Sequence, residues 1–209
     1  MKTIKLITLL ALFISFSSCS DDENNINVLP IESDTVTNLY APQLGGVDQT
    51  TGNFTPIFGE FTKFDFSTGQ ITTSATEWDI AFRATSIIIN GGASLGTIDE
   101  PERTGNAAAY IATGTMATVE TVDVGSLIQD SVSGYAIDAW YTYAGPPTHL
   151  ITPTAGRVIL VRTRDGKYAK LEILSYYKDA PDVPDAFVDE ERYYTFNYVY
   201  QPNSSDTSF

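Results

Sequence analysis

Two side chains in this sequence are singular in kind: His149 is the only histidine, and Met116 is the only methionine besides the initiator. An imidazole and a thioether both bind iron in a porphyrin, and His/Met is an established axial pair. Haem also asks for an apolar, aromatic cleft around its flat face, and the chain carries 12 Tyr, 11 Phe and 2 Trp. Met116 and His149, 33 positions apart, therefore qualify as a pair of metal ligands for haem bound as cargo. A soft thioether favours ferrous iron, so affinity is expected to strengthen on reduction. Tyr135, Tyr141 and Tyr143 could add a phenolate or stack on a porphyrin, and Arg103 could pair with propionates.

The usual catalytic constellations are missing. Ser/His/Asp catalysis would depend on His149, and no Gly-x-Ser-x-Gly elbow accompanies it. One histidine without a free thiol cannot build a typical zinc site. Asn90-Gly91-Gly92 is a turn signal with neither the Lys nor the helix that a phosphate-cradling loop needs. A glycosidase-type carboxylate pair stays open among 26 acidic residues, but nothing singles one out. The expectation is a binding protein and not an enzyme.

The N-terminus speaks to location. Met1 to Lys5 is a short basic region, Leu6 to Phe16 an apolar run, and Ser17-Ser18 precede Cys19, the only cysteine. That run is too short to span a bilayer and reads as a signal peptide over 1–18. Ending it at a cysteine predicts a bacterial lipoprotein acylated on Cys19, although Phe16 stands where a lipobox usually has Leu. Residues 19–34 then read as the acylated cysteine and an acidic, flexible tether, and 35–209 as one domain. Without Lys2 and Lys5 the chain has 10 basic and 26 acidic residues, a net charge of −16. Such a surface repels nucleic acid and anionic head groups, so membrane contact is expected through the lipid anchor only.

These candidate ligands need a scaffold, and the pattern predicts strands. Trp78 to Arg83 alternates as a half-buried strand, bends, and runs into the fully buried Ile87-Ile88-Ile89 before Asn-Gly-Gly. Asn53 to Thr73 reads as strand, turn and strand, with Gly69 at the left-handed turn position. Residues 90–115 read as a long irregular excursion. Asp165-Gly166 between two apolar runs predicts a type I′ hairpin, with Ala169, Leu171 and Ile173 facing the core. In the last strand, Arg192 to Tyr200, period two puts Tyr194, Phe196, Tyr198 and Tyr200 on one face. No helical period persists over three turns, so the fold class is all-β: a single antiparallel β-rich domain.

The motif Glu77-Trp78-Asp79-Ile80-Ala81-Phe82-Arg83, followed by Ile87-Ile88-Ile89-Asn90-Gly91-Gly92 and the later hairpin, resembles the HmuY family of haem-binding lipoproteins of Bacteroidetes. The resemblance covers most of residues 50 to 200. It implies a HmuY-like β domain holding haem between two axial ligands, a His pair in the best-known case and methionines in some relatives. Met116 and His149 fall where the two ligands would stand, although this chain lacks the two-histidine pattern. The resemblance also implies handover to an outer-membrane haem transporter or receptor. Ser20-Asp21-Asp22-Glu23 resembles the acidic signal for export to the cell surface, on the outer face of the outer membrane. An alternative stays open: a HmuY-like lipoprotein that has lost haem and serves a structural, adhesion or glycan-binding role.

Overall fold

The computed structural model describes residues 28–47 and 51–209. The expected signal peptide, Cys19 and most of the expected tether lie outside the described residues. The described chain forms thirteen strands: β1 (Glu32–Tyr40), β2 (Leu44–Val47), β3 (Phe54–Phe58), β4 (Thr62–Asp65), β5 (Gln70–Thr72), β6 (Ile80–Arg83) and β7 (Ser86–Ile89), then β8 (Ala108–Thr113), β9 (Tyr141–Tyr143), β10 (Ile151–Pro153), β11 (Arg157–Arg162), β12 (Tyr168–Tyr177) and β13 (Glu191–Gln201). The only helical element among the described residues is one 3₁₀ turn at Val124–Ser126, capped by the Asp123 carboxylate. The fold is the expected all-β, antiparallel one.

A five-stranded sheet, ordered β1-β13-β12-β11-β8, packs against a four-stranded sheet, ordered β5-β4-β6-β7. Alternation decides which side chains meet between them. Ile159, Val161, Ala169, Leu171 and Ile173 point inward from the larger sheet, as do Tyr194, Phe196, Tyr198 and Tyr200. Phe64, Ile80, Phe82, Ile87 and Ile89 answer from the smaller one. Phe196 sits edge-on to Phe64 at 5.5 Å and stacks with Phe82 at 5.7 Å, so aromatic pairs bridge the sheets.

The family-like motif proves structural. Trp78 is fully buried beneath the outer face of the four-stranded sheet with Phe61, Ala81 and Ile88. Asp79 accepts from the amides of Phe66 and Arg164. Asn90 accepts from the amides of Thr104 and Gly105 and donates to the carbonyls of Thr76 and Trp78. Each polar member closes backbone groups that burial would otherwise strand.

Five expectations need correction. β6 is buried on both faces and not half-buried, because the Trp78 cluster covers its outer side. The stretch from Asn53 divides after Phe58: β3 leaves the main sheet to pair with β2, and only β4 and β5 form the expected hairpin around Gly69. Within 90–115, Ala108–Thr113 is a strand that pairs with β11, its small side chains fitting a crowded core. At the β11–β12 turn only Gly166 has positive φ. Its amide returns to the Thr163 carbonyl, and the Thr163 amide donates to the Lys167 carbonyl, a wider loop than type I′ with one left-handed glycine. β1 also takes in Glu32–Asp34, assigned to the tether from sequence, because the long β13 offers Tyr200, Val199 and Tyr198 as partners.

Candidate functional site

His149 sits in the loop of the β9–β10 ribbon. Its amide closes a turn onto the Gly145 carbonyl, and its backbone is held at φ +54°, a left-handed conformation uncommon for a residue with a side chain. The ribbon is fastened to the core by the Tyr177 hydroxyl, which accepts from the Ile151 amide at 3.1 Å. Trp140, just before β9, donates its indole N–H to the Thr85 carbonyl at 2.9 Å. The imidazole is therefore exposed on an anchored support.

Around it stand two aromatic rings. The Tyr143 hydroxyl is hydrogen-bonded to His149 Nδ1, and Phe187 meets the imidazole edge-on at 5.9 Å. Phe187 is 73% exposed, yet its loop is well tied: the Asp185 carboxylate accepts from the Phe187 amide and the Asp189 carboxylate from the Asp185 amide. Next to His149 opens a cleft of about 540 Å³, with Pro147, Thr148 and Leu150 on one side and Val183, Pro184 and Phe187 among those on the other. Its volume is within the usual range for small-molecule sites. Asp185 is the only charged residue lining it.

Met116 lies elsewhere. It is half-buried in the loop after β8, packed with Tyr110 and Val119 on the cluster of Val158, Leu160 and Tyr168, which covers the outer face of the five-stranded sheet. Its carbonyl accepts from Lys170 Nζ at 2.8 Å. It lines a shallow groove with Asp34, Asn197 and Tyr198. His149 lies in a different cluster, where its neighbours Leu150 and Ile151 pack on the inter-sheet core. Lys170 and Tyr177, which hold the two segments, are seven positions apart on β12, about 20 Å along a strand. The structure thus does not bring Met116 and His149 together.

The other sequence candidates are largely committed. Arg103 is buried between Glu100 at 2.7 Å and Asp130 at 2.9 Å, which leaves it no reach toward a propionate. Trp78 and Trp140 are core residues. Tyr141 packs on Trp140 at 4.9 Å, so of the three tyrosines Tyr143 is the one beside the histidine. Phe187 was missed by the sequence reading; an aromatic residue set among the Pro and Asp of 181–189 was the available signal. No group of three or more His, Cys, Asp or Glu residues among the described residues could hold a bare metal ion.

The sequence matches the HmuY protein family over residues 59–198. The chain belongs to that family, which is related to haem binding. Among solved structures, an apo HmuY analogue from Tannerella forsythia is similar at 16% identity, with 85% of this chain and 100% of that one covered and a TM-score of 0.47. A chain from Bacteroides vulgatus described as a HmuY-like haem-binding protein has 15% identity, coverage of 83% and 93%, and a TM-score of 0.42. One from Bacteroides fragilis described as a lipoprotein has 17% identity, coverage of 82% and 90%, and a TM-score of 0.43. No curated protein matches. No helix among the described residues is long and apolar enough to cross a membrane.

Proposed function

We propose that this protein is a surface lipoprotein that binds haem as cargo beside His149 and passes it to an outer-membrane haem transporter. The observation that carries the reading is the His149 imidazole, exposed between Tyr143 and Phe187 at the lip of an apolar cleft. With Nδ1 engaged by Tyr143, Nε2 makes no hydrogen bond among the described residues. An Nδ1–H donated to the phenol oxygen leaves the Nε2 lone pair for iron, the arrangement usual for a ligating histidine. Apolar walls suit the porphyrin face, and the absence of a basic lining residue directs propionates to solvent. Haem would supply iron with a vacant axial position; the chain's part is to offer a ligand and exclude water. It makes and breaks no covalent bond and acts as a binding module.

Met116 is the proposed second axial ligand, and it can reach the same iron only if one of the two segments is displaced on binding. That separation is also the observation favouring the alternative, a family member that has lost haem and serves a structural, adhesion or glycan-binding role.

Titration of the protein with haemin, oxidised and dithionite-reduced, tests both readings. Haem binding predicts a saturable one-to-one Soret shift that His149→Ala abolishes and Phe187→Ala weakens about tenfold, the effect of roughly 1.4 kcal/mol of lost aromatic contact. A Met116→Ala change in the reduced spectrum supports the pair. No shift at micromolar protein selects the alternative.

A further inference from the structure

A second cleft, of about 430 Å³, shares no lining residue with the first. Its walls are Phe54, Pro56, Ile57, Leu95 and Ile98, of which Phe54 is 68% and Ile98 52% exposed. Arg83 and Tyr135 also line it, and no acidic residue does, in a chain with a net charge of −14.

The Arg83 side chain is buried against Phe61, its guanidinium 4.2 Å from the ring centre. It donates through Nη1 to the carbonyls of Gly59 and Ile98 and through Nη2 to the Thr97 hydroxyl. All three acceptors are neutral, and no carboxylate among the described residues pairs with it. The nearby acids are engaged: Asp99 accepts from the Gly59 amide, and Glu100 pairs with Arg103. A guanidinium has five N–H donors, so Nε–H and one Nη2–H have no protein acceptor. The Tyr135 hydroxyl is buried without a well-formed hydrogen bond, its nearest polar neighbours being the Thr97 hydroxyl and the Glu100 carboxylate already paired with Arg103. Burial pushes Arg83 down and Tyr135 up from their usual ranges, with neighbouring charges only partly opposing the Arg83 shift. A buried cation with no carboxylate in contact and a buried hydroxyl with no well-formed hydrogen bond are both costly unless something else completes them.

We infer that this cleft binds an amphipathic carboxylate of the fatty-acid class, its head group on Arg83 and Tyr135 and its apolar body against Phe54, Ile57, Leu95 and Ile98. The carboxylate supplies the missing counter-charge and accepts the unused donors, and the exposed apolar walls lose their contact with water. This site is independent of the haem reading.

The test is calorimetric titration with dodecanoate of the chain carrying Cys19→Ser, which retains every described residue and bears no acyl group. Saturable one-to-one binding is expected, with dodecanol at least tenfold weaker. Tyr135→Phe should weaken dodecanoate several-fold. Leu95→Trp, which fills the cleft from a partly exposed wall, should abolish binding without changing the thermal unfolding midpoint. Haemin-saturated protein should bind dodecanoate as the free protein does. Absence of saturable binding, equal affinity for dodecanol, unimpaired binding by Leu95→Trp, or displacement by haemin would each overturn the assignment.

Discussion

Asp79 Oδ1 lies 3.1 Å from the Arg164 guanidinium and accepts the Arg164 backbone amide at 2.9 Å. The two residues come from different sheets: Asp79 enters β6, and Arg164 lies in the turn between β11 and β12. Asp65 at 3.1 Å and Glu77 at 2.8 Å complete the ring of acids around the guanidinium. Burial pushes the Asp79 carboxyl up from its usual range, while its hydrogen bonds and the Arg164 charge oppose that shift. Arg164 itself is held more firmly charged than usual by the surrounding carboxylates, against the cost of its burial.

Replacing Asp79 tests this tie. Asp79→Asn turns one oxygen into an NH₂ facing a buried cation, leaving its charge partly uncompensated. A loss of about 2–4 kcal/mol is expected, read as a lower urea midpoint with an unchanged slope.

The glycine pair after Asn90 marks a close approach. A Cβ at Gly91 would stand 2.6 Å from the Ala107 amide nitrogen and closer still to the Ala107 carbonyl oxygen, where the Ala107 amide donates to the Asn90 carbonyl. Gly91→Ala must push the residues before β8 away from the end of β7. It is expected to cost about 3 kcal/mol or more, seen in thermal unfolding, whereas alanine at the open Gly134 should cost far less.

Glu100 makes part of the stability depend on pH. Its burial would raise the carboxyl pKa, but amide hydrogen bonds from Thr97 and Leu95, the Thr97 hydroxyl and the Arg103 charge outweigh that and hold it below the usual range. A depressed carboxylate stabilises the fold above its unfolded-state pKa and stops doing so as pH falls through the folded-state value. That loss should lie below about pH 4. Asp130, pushed up by burial, acts with the opposite sign, so Glu100→Gln isolates the term. Urea midpoints from pH 6 to pH 3 should fall less steeply in the variant than in the parent.

The anchor is testable without the fold. If Cys19 is acylated as proposed, Cys19→Ser should move the protein from the membrane fraction to the soluble fraction and abolish labelling by radioactive palmitate, because several acyl chains at about 0.8 kcal/mol per methylene would supply the membrane affinity. Membrane retention by the variant would sink the lipoprotein reading.

Where one physical term dominated, residue order was enough. Period-two alternation placed Tyr194, Phe196, Tyr198 and Tyr200 on the core face of β13, and Ala169, Leu171 and Ile173 on that of β12, because burying one face of a sheet leaves a strand no other register. The turn at Gly69 followed from its tolerance of positive φ. Residue counts likewise isolated one imidazole and one thioether.

Tertiary packing decided the rest. Ala108–Thr113 became a strand because β11 had an edge to pair and the space beside it suited small side chains, neither of which is local information. β3 paired back with β2, the strand before it, and not with β4, the strand after it. Sequence spacing put Met116 and His149 33 positions apart, but spacing carries no face: Met116 packs on the cluster of Val158, Leu160 and Tyr168, and His149 has the company of Tyr143 and Phe187 instead. Long-range pairing sets which side of a sheet a loop lands on, so the partners of a loop residue are fixed only when the strands that carry the loops have found theirs.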